Sequence, residues 1–285
     1  MKVLILGASG MLGSAMFKVL SKNKLLHVVA SLRDNKKTGF FDESLRANLI
    51  TGVDVLDQDS LAKVLADTRP NVVINCVGLI KQLGNAKDPL VALPLNAMFP
   101  HRLARLCGLL GARVVHISTD CVFDGKKGSY LESDLSNAED LYGKSKYMGE
   151  LHDYPHAITL RTSIIGHELD SRHSLVDWFL SQEGEVKGFS KAIFSGLPTV
   201  ELARVVEHYV LPKPELHGLY HVAAEPISKL DLLTLVAREY GKNIRIVADA
   251  QLVIDRSLNG VRFKEASGYT APAWPELISL MKKSH

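Results

Sequence analysis

The chain has 285 residues, 46% hydrophobic and 23% charged, with 34 Lys+Arg against 31 Asp+Glu. That composition belongs to a packed globular protein and excludes a mostly disordered chain. A formal charge of +3 makes no case for a nucleic-acid partner, and no apolar run approaches the roughly 18 residues of a membrane span.

Strand-like and helix-like segments alternate through the first half. The short apolar run at 3–6 superficially resembles a signal peptide, but no longer apolar region or cleavage site follows, so it reads as the first strand. A glycine turn comes next, then a helix over 11–21 and a strand over 27–32. A weaker strand is expected over 48–53, a helix over 57–67 and a clear strand over 71–76. Residues 89–110 read as a long helical region with a kink or restart at Pro100. A strand over 113–118, a helix over 139–151 and a strand over 157–161 complete the rhythm. Continuous apolar runs such as Val72-Val73-Ile74 mark buried parallel strands. The expected fold is therefore α/β, a Rossmann-type doubly wound parallel sheet, with a smaller C-terminal region.

After Gly166 the pattern changes. Residues 167–198 mix helix-like and irregular segments, 201–211 read as an amphipathic helix and 218–223 as a strand. A helix over 228–240 is bracketed by Ser228 as N-cap and Gly241 after its end. We expect residues 1–166 to form one domain, with 198–223 returning to it, and 167–285 to form mainly a second region. Cys76, Cys107 and Cys121 are odd in number and lack metal-type spacing, which fits reduced thiols in a cytoplasm. No metal is expected.

The turn Gly7-Ala8-Ser9-Gly10-Met11-Leu12-Gly13 follows a strand and opens a helix. Glycines there allow a tight turn, close approach of backbone to a diphosphate, and close helix–strand packing. The helix N-terminus adds free N–H groups and a favourable dipole. This GxxGxxG variant marks a dinucleotide site. An NAD site usually has an acidic residue after strand 2. Here Arg33 precedes Asp34, with Lys36 and Lys37 behind. The guanidinium suits a 2′-phosphate and favours NADP (as NADPH), while Asp34 keeps NAD open. Asp54, Val55, Cys76, Val77 and Gly78 lie at carboxyl ends of strands 3 and 4, where open α/β sheets bind ligands. Asp54 can accept from an adenine amino group, and Gly78 can let the backbone approach the cofactor. Each is also an ordinary turn residue.

Tyr142 and Lys146 stand at i and i+4, on one helix face. A nearby ammonium lowers a tyrosine pKa from about 10, making a usable acid–base group. The same spacing occurs on many surface helices. Ser118-Thr119-Asp120, just upstream at a strand end, shifts the balance because its hydroxyls can bond the same substrate oxygen.

On these residues the sequence resembles the extended short-chain dehydrogenase/reductase superfamily. More narrowly, it is similar to the dTDP-4-dehydrorhamnose reductase family. Arg69-Pro70-Asn71-Val72-Val73-Ile74-Asn75, Ser118-Thr119-Asp120-Cys121-Val122-Phe123, Leu141-Tyr142-Gly143-Lys144-Ser145-Lys146, Leu160-Arg161-Thr162-Ser163 and Gly218-Leu219-Tyr220-His221 carry the likeness. It implies Thr119, Tyr142 and Lys146 as the catalytic set, and reduction of the C4 keto group of a nucleotide-linked 4-keto-6-deoxysugar by NADPH. Lys81, Gln82, Asp120 and Cys121 would border the substrate, with Arg256 and Arg262 as candidates for its diphosphate. Cys121 stands where the family often has tyrosine. The related dehydratases would lead one to expect an Asp-Glu pair after the threonine, so Cys121 disfavours elimination. Two other readings stay open: an epimerase or reductase on UDP-amino sugars, and a regulatory subunit that binds cofactor and a partner enzyme. The superfamily's habit of pairing helices implies a homodimer.

Overall fold

The computed structural model describes residues 1–79 and 87–285. Seven parallel strands form the central sheet: β1 (Lys2–Leu6), β2 (His27–Ser31), β3 (Leu49–Ile50), β4 (Val72–Asn75), β5 (Arg113–Thr119), β6 (Ala157–Thr162) and β7 (Gly218–His221). Their spatial order is β7-β6-β5-β4-β1-β2-β3. The chain starts in the middle, winds outward to β3, then returns across β1 to build the other half. The two directions separate between β1 and β4, and that crevice is where such sheets take ligands.

The alternation of side chains along β1 divides the core. Val3 and Ile5 face a layer with Met16, Phe17 and Leu20 of α1 (Met11–Leu20), joined by Leu202 and Val205 of a later helix. Leu4 and Leu6 face Leu61, Val64 and Leu65 of α2 (Gln58–Thr68) and Phe99 and Leu103 of α3 (Phe99–Leu109). Both sets are fully or nearly fully buried, as a sheet covered on both faces requires.

Most of the expected elements are present, with instructive differences. The weak strand at 48–53 shrinks to Leu49–Ile50, paired with Ala30 and Ser31 at the sheet edge. The long helical region restarts as α3 at Phe99, with Pro100 in its first turn. It breaks earlier, into a helix over Pro89–Ala92 and a wide π-type segment over Leu93–Met98. Pro94 has no N–H to give to the preceding turn, whereas Pro100 falls in the first turn of α3, where that donor is not needed. The helix carrying Tyr142 and Lys146 is also shorter than expected, α4 (Leu141–Met148), opened by the Asp140 carboxylate, which accepts from Gly143 N–H at 2.8 Å.

Beyond Gly166, α5 (Thr199–Val205) packs against α1, and the strand expected at 218–223 joins the sheet as β7, parallel to β6. The segment over 167–198 holds more order than its sequence pattern shows. It contains a helix over Leu175–Ser181 and three strands, Glu185–Phe189, Ala192–Phe194 and Leu197–Pro198. The first pairs with Arg245–Asp249 and the second with both Ile227–Ser228 and Ile254–Asp255. The helix α6 (Lys229–Tyr240) has the expected ends: Ser228 Oγ accepts from Asp231 N–H, and Gly241 takes φ +66°. The last helix, α7 (Trp274–Lys283), buries Trp274, whose indole N–H donates to the Glu225 carbonyl at 2.7 Å. No helix among the described residues is long and apolar enough to cross a membrane.

One buried ion pair joins these parts. Glu150 and Arg161 are 2% and 1% exposed and meet through two hydrogen bonds, Nε to Oε1 at 2.7 Å and Nη2 to Oε2 at 2.6 Å. Ser118 Oγ at the end of β5 donates to the same carboxylate at 2.7 Å. Arg161 Nη1 reaches His221 Nε2 of β7 at 3.2 Å, and His221 Nδ1 reaches the Tyr130 carbonyl. Burial pushes the Glu150 carboxyl up, but hydrogen bonds from Arg161, His152 and Ser118 outweigh it and leave it below the usual carboxylate range. The pair's stabilisation is thus complete above the unfolded glutamate pKa and is lost as pH falls through the lower folded value. E150Q strands a buried guanidinium, and denaturant unfolding at neutral pH should show a loss of about 3–5 kcal/mol. Below the folded pKa of Glu150 that difference should narrow.

Candidate active site

The glycine turn between β1 and α1 is built by close contact. Gly7 takes φ +87°, and a Cβ there would stand 2.8 Å from Val77 Cγ2. A Cβ on Gly13 would fall 2.1 Å from the Gly7 carbonyl oxygen, so only glycine lets α1 sit this close to the strand end. Gly10 is exposed, and a Cβ there would meet nothing nearer than 3.6 Å. It caps α1 with no side-chain hydrogen bond, which leaves the first N–H groups, around Met11 and Leu12, open to an anion. Ser9 lies beside Gly10 in this turn, half-buried.

The strand ends around the turn carry the other dinucleotide candidates. Arg33 is exposed just past β2 and has no side-chain partner among the described residues. Asp34 is turned onto its own loop, accepting from Lys36 N–H at 2.9 Å. Lys37 pairs with Asp170 at 2.8 Å. Past β3, Asp54 accepts from Leu56 N–H, and Val55 packs under it against the core. Past β4, the Val77 N–H donates to Asn75 Oδ1, and Gly78 is exposed. A Cβ on Gly78 would lie 3.8 Å from Lys146 Nζ, so the two glycine-bearing strand ends and Lys146 border one space. Lys81 and Gln82 lie outside the described residues.

Thr119, Tyr142 and Lys146 converge at the end of β5. The Cys121 N–H donates to Thr119 Oγ1 at 3.1 Å, and Thr119 Oγ1–H donates to Asp120 Oδ1 at 3.2 Å. Lys146 is 6% exposed, and its Nζ donates to the Ile117 carbonyl at 2.8 Å. Burial lowers the Lys146 pKa to about 8, opposed by Glu150 and Cys76. Burial raises the Tyr142 phenol above its ordinary value; Cys121 adds to that, and a hydrogen bond with Thr119 works against it. The expectation that Lys146 lowers the tyrosine pKa is therefore not met. The ammonium donates to the Ile117 carbonyl, and burial keeps the phenol neutral, the form that gives up a proton.

Asp120 is 9% exposed, and burial raises its carboxyl against the pull of Arg256 and Lys229. Burial pushes the Cys121 thiol up to about 12. Arg256 comes to this group: its Nε donates to the Phe123 carbonyl at 2.7 Å and its Nη1 lies 3.9 Å from Cys121 Sγ. Arg262 does not. It is exposed and stacks on Tyr220 of β7, 5.0 Å from the ring centroid. Lys229, at the start of α6, escaped the sequence reading because nothing local marks a residue that faces Asp120 across the fold. Two further residues escaped it. Asn96 is 1% exposed, accepts from Leu79 N–H at 2.8 Å and donates to Ser145 Oγ at 3.2 Å. Asn75 Nδ2 lies 3.1 Å from His116 Nδ1. His116, on β5, is fully buried, and its Nε2 has no partner among the described residues. Burial holds its pKa well below the usual histidine value. Among the described residues no group of three His, Cys, Asp or Glu is set to hold a metal.

A parallel sheet in this order, opened by a glycine turn and carrying Thr, Tyr and Lys at the β5–α4 edge, is the framework of the extended short-chain dehydrogenases/reductases. Within that superfamily the chain belongs to the family described as RmlD substrate binding domain, whose model matches residues 1–259. It is 30% identical over 248 residues to methionine adenosyltransferase 2 subunit beta of Danio rerio, covering 83% of this chain and 73% of that one. It is 27% identical over 234 residues to dTDP-4-dehydrorhamnose reductase of Aggregatibacter actinomycetemcomitans, covering 79% and 74%. The fold matches a dTDP-4-dehydrorhamnose reductase of Bacillus anthracis solved in complex with NADP, at TM-score 0.78 and 22% identity, over 99% and 98% of the two chains.

The glycine turn offers a direct check. G13A should lower the unfolding free energy by about 1–3 kcal/mol through forced separation of helix and strand. G10A, with open space around it, should stay within about 0.5 kcal/mol in the same denaturant titration.

Proposed function

We propose that this protein reduces the C4 keto group of a nucleotide-linked 4-keto-6-deoxysugar with NADPH. The observation that carries the reading is the convergence of Thr119, Tyr142 and Lys146 beside Gly78, facing the space bounded by the glycine turn. The free N–H groups of α1 suit the dinucleotide diphosphate. Arg33, without a side-chain partner among the described residues while Asp34 is folded onto its own loop, suits a 2′-phosphate, so NADPH is preferred over NADH. Residues 1–166 with 198–223 hold this cofactor, and 167–285 mainly shape the sugar pocket.

When bound, the dihydronicotinamide supplies hydride to C4. Thr119 Oγ1 orients the keto oxygen and Tyr142 donates its phenolic proton to it as negative charge builds there. Lys146 holds the dinucleotide ribose and places a positive charge near the developing alkoxide. Asp120 and Cys121 line the sugar side, and Arg256 meets the substrate diphosphate. The pocket works in the cytoplasm, in nucleotide-sugar and polysaccharide precursor synthesis, and the enzyme pairs as a homodimer.

Similarity to a subunit of methionine adenosyltransferase 2 supports a second reading, in which the chain binds the dinucleotide and a partner enzyme without turning over. A panel of dTDP- and UDP-linked 4-keto sugars separates the two. Stoichiometric NADPH oxidation supports reduction; no oxidation, together with tight capture of a methionine adenosyltransferase, supports the subunit. An epimerase would turn over with no net NADPH loss.

Y142F should retain NADPH affinity and lose turnover by about 10²–10⁴-fold, the range of a single acid–base group. Unchanged turnover would remove tyrosine from the mechanism. The pH profile has a defined sign as well. Lys146 is charged below about 8, so NADPH affinity should fall as pH rises through that value, while the phenol stays protonated throughout.

A further inference from the structure

The Glu150–Arg161 pair lies directly beneath the Lys146 seat. Lys146 Nζ is anchored on the Ile117 carbonyl, and the Glu150 carboxylate on the hydroxyl of the next residue, Ser118. The two groups are four residues apart on the turn that ends α4, so both reach the same end of β5. Lys146 is buried and its described hydrogen bond is to a neutral carbonyl. A buried ammonium in that position tends to lose its proton unless an anion faces it.

We propose that Glu150 is a positioning residue: its carboxylate, fixed by Arg161, Ser118 and His152, keeps the buried Lys146 amine charged at neutral pH. This deepens the reading of Lys146 as the cation of the site. The groups facing Lys146 are few. Glu150 lies on its own turn, Cys76 follows β4, and His116 belongs to β5. Burial keeps the thiol protonated and the imidazole neutral, so Glu150 is the one fixed anion among them. Its charge is secured in turn by the two Arg161 bonds. The guanidinium is itself held between the Phe123 and Tyr147 rings, at 5.2 and 5.9 Å, and cannot swing toward the amine. His152 Nε2, 3.1 Å from Glu150 Oε2, is 41% exposed at its side chain and links the buried carboxylate to solvent.

The test reads the Lys146 amine itself, by NMR titration of lysine-labelled chain without dinucleotide, using K146R to assign the signal. In E150Q the amine should titrate about one unit lower than in the unchanged chain, a charged fraction about tenfold smaller at pH above both values. S118A keeps the carboxylate and should leave the titration in place. If E150Q does not fold, E150Q/R161Q leaves no unpaired buried guanidinium and should give a smaller downward shift, because a cation is lost with the anion. A Lys146 titration unmoved in both variants would overturn the proposal. Because no turnover is read, failure of the reductase reading leaves this result intact. If that reading holds, the high-pH limb of NADPH binding moves down with the amine.

Discussion

The bidentate pair of Glu150 and Arg161 is the constraint on which the rest of the molecule hangs. Both charges are taken out of water, and neither is tolerable there alone. Each partner that satisfies them comes from a different element: Ser118 from β5, His221 from β7, and His152 from the loop before β6. Satisfying the pair therefore sets where the β5 end, the α4 helix and the edge strand stand relative to one another. Thr119 follows Ser118, and Lys146 is one turn before Glu150. The geometry of the candidate site is a by-product of solving a desolvation problem underneath it.

The cofactor side is shaped by a different force. There the backbone, not side-chain charge, does the work: a helix start without a cap, a positive φ at Gly7, and a contact at Gly13 that admits no Cβ. This explains how a chain of net charge +3 can face phosphorylated ligands without a basic surface. A few oriented N–H groups and the exposed Arg33 suffice where the ligand is held at close range.

Much of this was legible in the sequence, for physical reasons that differ by element. Parallel strands buried on both faces leave continuous apolar runs, so β4 and β5 stood out. Caps are local chemistry, so Ser228 and Gly241 marked α6 to the residue. Glycine spacing announced the turn after β1. What was not legible depends on distant partners. The strands Glu185–Phe189 and Ala192–Phe194 pair with residues some 35 to 60 positions later, and nothing in their own pattern says so. Arg161 belonged to a segment quoted for family likeness, but Glu150 carried no signal of its own. The direction of the Lys146 amine was equally hidden. Helical spacing puts it on the tyrosine face, and its bond to the Ile117 carbonyl depends on a strand some thirty residues earlier.

The placement of β7 has a consequence for how the protein comes into being. The segment Gly218–His221 is the outermost strand, yet it covers β6 and supplies the imidazole that completes the Arg161 shell. During synthesis, residues up to the end of β6 emerge with the glycine turn and the Thr-Tyr-Lys set already present. They wait some fifty residues for the strand that seals the guanidinium. Until then β6 is an open edge and the buried charge has one neighbour too few. The sheet that carries the glycine turn is thus finished by a strand from beyond Gly166, and a cut at that point would leave β6 unpaired on one side and Arg161 without its imidazole neighbour.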